Sequence, residues 1–350
     1  MSFPTIAPSP ALFFETMNAF QRTAALRAAI ELDLFSAIAA GTGAPDDVAK
    51  RCEASERGVR ILCDTLTILG FLVKQSMASM EEDDLPTSRY RLTPDTAAFL
   101  DKKSPAYLGG AMKFLLLDEM IAPFGCLAAA VKKGGCAQSA EGTISKENPA
   151  WVEFARGMGP LMVLPAKKLA DLLGGDHQRP LKVLDLAAGH GLFGITLLQA
   201  FPHAEVVAQD WPSVLLVAAE HAQKAGVTER HRLLPGNAFE VDLGTGYDVV
   251  LLTNFLHHFD SPTIAKLLKR IHACLKPGGQ CLTLEFVPNT DRITPPGTAM
   301  FALIMLATTP HGDAYTFAEY DQLFTAAGFT QNHLHGLAPT QQQVIVSHRV

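Results

Sequence analysis

The chain has 350 residues, of which 48% are hydrophobic and 18% charged, with a formal net charge of −6. That length accommodates two domains, and the composition describes a globular chain with substantial cores. The acidic balance gives no overall pull toward nucleic acid, and the apolar run Ala299 to Ala307 is too short to span a bilayer.

Residues 1–10 carry Pro4, Pro8 and Pro10 and predict a loose arm. From Ala11 to Ala40 the pattern is helical and alanine-rich, ending at Gly41. Pro45 opens the next helix, with Asp46 and Asp47 in its first turn. Ser55 caps another, in which Val59, Leu62, Cys63, Leu66 and Leu69 share one face before Gly70. "FLVKQ" and "RYRLT", with the acidic loop "EEDD" between them, predict a β-hairpin. Helices followed by a hairpin describe a winged helix. Such a fold can read DNA, but here Glu53, Glu56 and Asp64 offset Arg51, Arg57 and Arg60, and the wing is acidic. A dimerisation or packing module is therefore preferred to a DNA-binding regulator.

Residues 105–175 read as helical and apolar, interrupted at Pro123, Gly134–Gly135 and Pro149. Phe114, Leu115, Leu116, Phe154, Met158 and Met162 either line an apolar pocket or fill ordinary core. "GGDHQRP", Gly174 to Pro180, reads as a linker into the last domain. The expected domains are thus 1–104, 105–175 and 176–350.

"LKVLDLAAGHGLFG", Leu181 to Gly194, is an apolar strand, a turn of small residues and the start of a helix that Pro202 stops. This is the opening unit of a doubly wound α/β sheet. The turn spacing is D-x-A-x-G-x-G rather than the dinucleotide G-x-G-x-x-G. Asp185 just before it would repel a pyrophosphate but can hold an ammonium, which suits the methionine part of S-adenosylmethionine. Beyond it the alternation continues. "AEVVAQD" is strand two, "PSVLLVAAEHAQKAG" a helix, "RHRLLPGNAF" strand three and its loop, and "YDVVLLTNFLHHF" strand four and its loop. "SPTIAKLLKRIHACLKPGG" predicts a helix closed by Gly278–Gly279, and "QCLTLEF" strand five. Helical stretches near 296–308 and 316–327 precede "FTQNHLHGL" and "QQQVIVSHR", which predict a terminal antiparallel hairpin on an otherwise parallel sheet.

The candidate chemistry gathers at strand ends. Asp210 closes strand two, 25 positions after Asp185, where an acid accepts hydrogen bonds from ribose hydroxyls. Trp211 and Phe239 offer rings to an adenine, and Asn237 a partner for its amino group. His257 and His258 follow strand four, and histidine suits proton transfer near neutral pH. Glu285 closes strand five and can orient a histidine one strand away. No metal is expected: adjacent histidines on an extended segment point apart, and no partner stands at ligand spacing. The six cysteines include no C-x-x-C pair and, without a signal-like leader, read as reduced thiols in a cytoplasmic protein.

At these residues the chain resembles the class I S-adenosylmethionine-dependent methyltransferases, and within them the small-molecule O-methyltransferases related to caffeate and antibiotic O-methyltransferases. The likeness spans nearly the whole chain through "YRLTPDTAAFL", "VLDLAAGHG", "GNAF", "NFLHHF", "LKPGG" and "YTFAEYDQLFTAAGF". It implies an N-terminal winged-helix dimerisation domain, a homodimer, and a Rossmann-like sheet with a terminal hairpin. S-adenosylmethionine, with S-adenosylhomocysteine as product, would be held by Asp185, Ala187, Gly189, Gly191, Asp210, Trp211, Asn237, Ala238 and Phe239. His257 takes the family's general-base position, His258 one usually held by an acid, and Glu285 that of one of two acids flanking the base. The second acid falls at Ala314 and is missing, with Asp313 adjacent. Phe154, Met158, His258, Met305 and Asp313 are the candidate substrate contacts. The implied reaction is methylation of a hydroxyl on an aromatic or largely apolar small molecule. Methylation of carbon, sulfur or nitrogen, and non-methyl chemistry with the same cofactor, are the alternatives; an oxidoreductase on the same sheet is disfavoured by Asp185 and the hairpin.

Overall fold

The computed structural model describes residues 8–77 and 87–350, and the chain divides into two compact units, Met1–Met112 and Lys113–Val350. The expected loose arm lies largely, and the acidic "EEDD" wing wholly, outside the described residues. The stretch 105–175 is not a segment of its own, since the division falls at Met112 and groups the rest of it with the sheet.

In the first unit the stretch with the helical pattern forms three helices, Ala11–Met17, Ala19–Glu31 and Leu34–Ala40. The second break falls at Asp33, whose φ of 54° places it in the left-handed region. Helices Pro45–Arg51 and Glu56–Ile68 follow, the latter capped by the Ser55 hydroxyl, which accepts the Gly58 N–H at 3.1 Å. Strands β1 (Leu72–Met77) and β2 (Thr87–Leu92) pair antiparallel, with Lys74 opposite Tyr90. Leu34, Phe35, Val48, Val59, Cys63, Leu66 and Tyr90 form the core. Leu12, Phe13, Phe14, Met17 and Phe20 are all more than half exposed in the isolated chain, between 57% and 75%.

The second unit is built on a seven-stranded sheet of order β5-β4-β3-β6-β7-β9-β8. These are β3 (Leu181–Leu186), β4 (Ala204–Asp210), β5 (His231–Pro235), β6 (Tyr247–Thr253), β7 (Leu275–Glu285), β8 (Thr330–Gly336) and β9 (Gln343–His348). Strands β3 to β7 run parallel, and β9 inserts antiparallel between β7 and β8. Residue alternation sorts the side chains: Val183, Val249 and Leu251 enter one core, and Leu184, Leu186, Val250 and Leu252 the other. Both faces are covered, which is why these strands are near-continuous apolar runs. The chain winds outward from β3 to β5, then returns to β6 on the other side. The crevice beyond the carboxyl ends of β3 and β6 is the switch point where such sheets hold ligands.

One helix boundary differs from expectation. The helix expected to close at Gly278–Gly279 ends at Cys274, and β7 starts at Leu275. Arg349, far along the chain, donates to the carbonyls of His272, Ala273 and Leu275, and its backbone exchanges hydrogen bonds with Gly278 and Gly279. Among the described residues no single helix is long and apolar enough to cross a membrane.

Candidate active site

The turn after β3 is built for close approach. Ala187, Gly189 and Gly191 have φ of 53°, 55° and 71°, the left-handed conformation that costs an alanine roughly 1–2 kcal/mol. Neighbouring strands hold this turn. Gly189 N–H donates to Asp210 Oδ2 at 2.8 Å, Trp211 N–H to Asp210 Oδ1 at 2.7 Å, and Ala188 N–H to the Gln209 carbonyl at 2.9 Å. The Gln209 side chain accepts from Ala187 N–H at 3.4 Å and donates to the Gly236 carbonyl at 2.6 Å. A buried glutamine thus ties the β3 turn to the β5 loop.

Asp185 is fully buried. Its Oδ2 accepts the Gly194 N–H at 3.0 Å, and its Oδ1 has no partner. Burial, reinforced by the nearby Asp210 carboxylate, pushes its pKa up to about 7. Burial likewise pushes Asp210 up to about 6, against the pull of its two amide bonds. A buried carboxylate oxygen without a donor calls for a cation or an N–H. An α-ammonium group satisfies it, so these residues fit S-adenosylmethionine. In the β5 loop, Asn237 Oδ1 accepts from Phe239 N–H at 3.0 Å, and the Ala238 carbonyl is held by Arg270. The Phe239 ring meets Phe259 edge-on at 4.9 Å. Trp211 packs against Ala155, Val214 and Val217.

At the end of β6, Asn254 (φ 53°) turns the chain, donating its N–H to the Leu284 carbonyl at 2.8 Å. The expectation that His257 and His258 sit on an extended segment and face apart is corrected. They lie in a 3₁₀ turn, Leu256–His258, with ring centroids 4.2 Å apart. Glu285 is the cause. Its Oε1 accepts the N–H groups of Phe255 (3.0 Å), Leu256 (2.8 Å) and His257 (3.4 Å), winding the segment around one carboxylate. Its Oε2 meets Nδ1 of His257 at 2.5 Å, and the glutamate is fully buried. The His258 ring is buried with Nδ1 unpartnered. Burial first, then neighbouring His257, holds its basicity well below the ordinary imidazole level.

Aromatic rings surround the pair. Phe301 stands edge-on to His257 at 4.7 Å and stacks on Phe286 at 4.0 Å. Trp151 meets His258 edge-on at 5.1 Å. Phe154, on the same helix (Ala150–Gly157), lies parallel to His190 of the β3 turn, 6.1 Å between centroids, and edge-on to Phe114 at 5.2 Å. One helix therefore reaches both the turn and the histidines. Met158 is half-buried at the end of that helix, and Met305 is buried in the helix Phe301–Thr308. The Asp313 carboxylate is occupied by Arg292 at 3.2 Å and by the Ala314 N–H at 2.8 Å. Ala314 is fully buried, so no acid faces His257 from there. Among the described residues no cluster of three or more His, Cys, Asp or Glu could hold a metal.

Sequence reasoning missed Gln209, Trp151, Asn254, Phe286 and Phe301. Gln209 alone left a signal, as a lone amide in the apolar run before Asp210.

Residues 129–330 match the model of the O-methyltransferase domain, and residues 14–102 that of the O-methyltransferase dimerisation domain. The chain is 30% identical over 333 residues to the 3-hydroxy-5-methyl-1-naphthoate 3-O-methyltransferase of Streptomyces sahachiroi, covering 94% of this chain and 92% of that protein. It is 29% identical over 329 residues to the tetracenomycin polyketide synthesis 8-O-methyl transferase of Streptomyces glaucescens, covering 92% and 91%. A crystal structure described as a candidate O-methyltransferase from Nostoc punctiforme superposes with a TM-score of 0.91 at 52% identity, covering 98% of this chain and all of that one. With the Rossmann-like sheet, a matching O-methyltransferase domain and a matching dimerisation domain together in one chain, this protein belongs to the S-adenosylmethionine-dependent O-methyltransferases that act on small molecules.

Proposed function

We propose that the protein methylates a phenolic hydroxyl of an aromatic small molecule, with His257 as general base. The observation that carries this reading is the Glu285–His257 contact of 2.5 Å at Nδ1. A carboxylate there keeps the proton on Nδ1 and leaves Nε2 as an acceptor. A phenol has a pKa of about 10, so an acceptor on its O–H lowers the barrier to attack. S-adenosylmethionine, when bound, supplies a methyl group already activated on a sulfonium. Asp185 would hold its ammonium, Asp210 its ribose, and Asn237, Ala238, Phe239 and Trp211 its adenine. The turn Ala187–Gly191 would let the cofactor approach the backbone closely. Trp151, Phe154, Met158, Phe301 and Met305 exclude water and orient the ring, and alignment of nucleophile with methyl supplies much of the rate.

The exposed apolar residues of the first two helices, Leu12 to Phe20, support a homodimer formed through the N-terminal unit. The reading is tested by incubating the protein with methyl-labelled S-adenosylmethionine and a panel of hydroxylated naphthalenes, and following label and S-adenosylhomocysteine by mass spectrometry. Transfer to oxygen supports it. Transfer only to carbon, nitrogen or sulfur acceptors overturns the phenol assignment.

A further inference from the structure

We infer that the cleft between the helices Gly159–Leu173, Leu192–Ala200 and Pro212–Lys224 is a second ligand site, for a carboxylate on a small apolar body, and that its occupant tightens cofactor binding through His221. The link, though not the site, rests on the turn Ala187–Gly191 holding the cofactor.

The cleft encloses about 300 Å³, and none of its lining residues belongs to the cofactor turn or to the His257 surroundings. Its floor is apolar: Val163, Leu192, Ile195 and Ala225. Lys167 and Lys224 stand over it from two different helices. No acid lines the cleft, and among the described residues neither ammonium forms an ion pair. The acid one turn before Lys224, Glu220, is spent on the two guanidinium nitrogens of Arg156 at 3.2 Å. A lysine in the last turn of a helix offsets the helix dipole, which accounts for Lys224. Lys167 lies in the middle of its helix and has no such role. Like charges around one cleft gather an anion. An inorganic anion would leave the floor bare, and an uncharged apolar molecule would leave the ammonium groups unmet. A carboxylate on a small apolar body answers both.

His221 joins this cleft to the turn after β3. It lines the cleft, and its Nδ1 stands 2.8 Å from the carbonyl oxygen of His190. A carbonyl only accepts, so Nδ1 carries a proton and Nε2 is the nitrogen left for a ligand. A carboxylate at Nε2 favours the doubly protonated ring, whose Nδ1–H is the stronger donor. That donor fixes His190, whose own Nδ1 accepts the Leu192 N–H at 3.1 Å and so ties the turn to the start of the next helix. A turn already fixed costs the cofactor less to order. By linkage, the cofactor tightens carboxylate binding by the same factor.

Calorimetry on the full-length protein, first without cofactor, tests the site with octanoate and, as its uncharged match, octanamide. Octanoate is expected to bind roughly tenfold or more the tighter. The ratio should fall to near one when Lys167→Met and Lys224→Met are combined, two exposed changes whose thermal midpoint reports that the variant is folded. Saturating octanoate is then expected to tighten S-adenosylhomocysteine binding about fivefold in wild type, and not in His221→Phe. A wild-type ratio near one, or a ratio unchanged in the double variant, overturns the site. Octanoate that binds through the lysines yet leaves S-adenosylhomocysteine affinity unchanged overturns the link. Asp185→Asn separates that failure from a failure of the cofactor turn. If this variant binds S-adenosylhomocysteine as tightly as wild type, the turn is misassigned, while octanoate binding stands.

Discussion

Asp313 donates its backbone N–H to the carbonyl oxygen of His257 at 2.9 Å, while its carboxylate turns away to Arg292 at 3.2 Å. Arg292 also grips Glu319 through contacts of 2.6 and 2.8 Å and donates to the Ala314 carbonyl at 3.4 Å. Next to Asp313 the chain has a buried methyl group, Ala314, and on this side the His257 segment is held by its backbone. Arg292 is a positioning residue for that loop. The charges are about 40% exposed, so their contribution to stability is small, of order 1 kcal/mol or less.

Arg292→Ala is therefore expected to lower kcat severalfold while shifting urea unfolding little and leaving KM for S-adenosylmethionine unchanged. Arg292→Lys keeps the charge but loses the two-pronged grip, and should recover part of the rate. A merely structural role would lower stability and rate together and leave the lysine variant no better than alanine.

Asp185 and Asp210 make a pH prediction whose sign can be worked out. Both are raised above the ordinary aspartate value of 3.8, to about 7 and about 6. Between about pH 4 and 7 these two groups hold more protons in the folded ligand-free protein than in the unfolded chain, so their contribution to stability falls as pH rises through this window and levels off above it, opposite in sign to that of the buried His190 and His258, whose pKa values are lowered. Asp185→Asn should remove most of that contribution and be the more stable protein at pH 8 without ligand. The same variant should bind S-adenosylhomocysteine at least tenfold more weakly, since the ammonium loses its carboxylate. Thermal midpoints at pH 5, 6.5 and 8 check the first claim and calorimetry the second. A midpoint difference between Asp185→Asn and wild type that does not grow from pH 5 to 8 would contradict it.

The sheet was legible because each parallel strand is a short apolar run, such as Val249–Leu252, followed by small or polar residues at its carboxyl end. Asp185, Asp210 and Glu285 stood out because an acid in such a run is costly unless used. What stayed hidden depends on partners distant in the chain. The early helix end at Cys274 is set by Arg349, and the tight turn holding His257 beside His258 is wound by Glu285 from the next strand. Gln209 bridges two loops with one side chain. The break at Asp33 is local, yet "AAIELDLF" continues a helical pattern, and only the left-handed φ marks it.

Gly191 separates backbone conformation from space. Its φ is 71°, and an added Cβ would lie 2.9 Å from Cβ of Ala218. At Gly189 the φ is 55°, but the nearest atom is a Phe154 ring carbon at an ordinary 3.5 Å. Both alanine variants bear the left-handed cost of roughly 1–2 kcal/mol, and Gly191→Ala adds overpacking of roughly 1–3 kcal/mol. Urea unfolding should rank Gly191→Ala as the less stable of the two. Equal losses would show that the helix carrying Ala218 gives way freely.

The Glu285–His257 pair makes the sharpest prediction about chemistry. His257→Ala removes the acceptor at Nε2, and kcat should fall by about 10²–10⁴, with S-adenosylhomocysteine affinity nearly unchanged. Glu285→Gln is more informative because the carboxylate serves two sets of donors: the amides at Oε1 and Nδ1 of His257 at Oε2. A carboxamide has only one oxygen. If that oxygen keeps the amides, its NH₂ faces Nδ1 and forces the imidazole proton to Nε2, the atom that should receive the phenol proton. If it keeps Nδ1–H, the NH₂ opposes the backbone donors and the 3₁₀ turn loosens. Either way kcat drops, to a value between wild type and His257→Ala, while the cofactor turn is untouched. The arrangement also predicts that a more acidic phenol, needing less help from a base, narrows the gap between wild type and both variants. Full activity of His257→Ala on a weakly acidic phenol would mean that alignment alone carries the reaction and that Glu285 serves only to wind the turn.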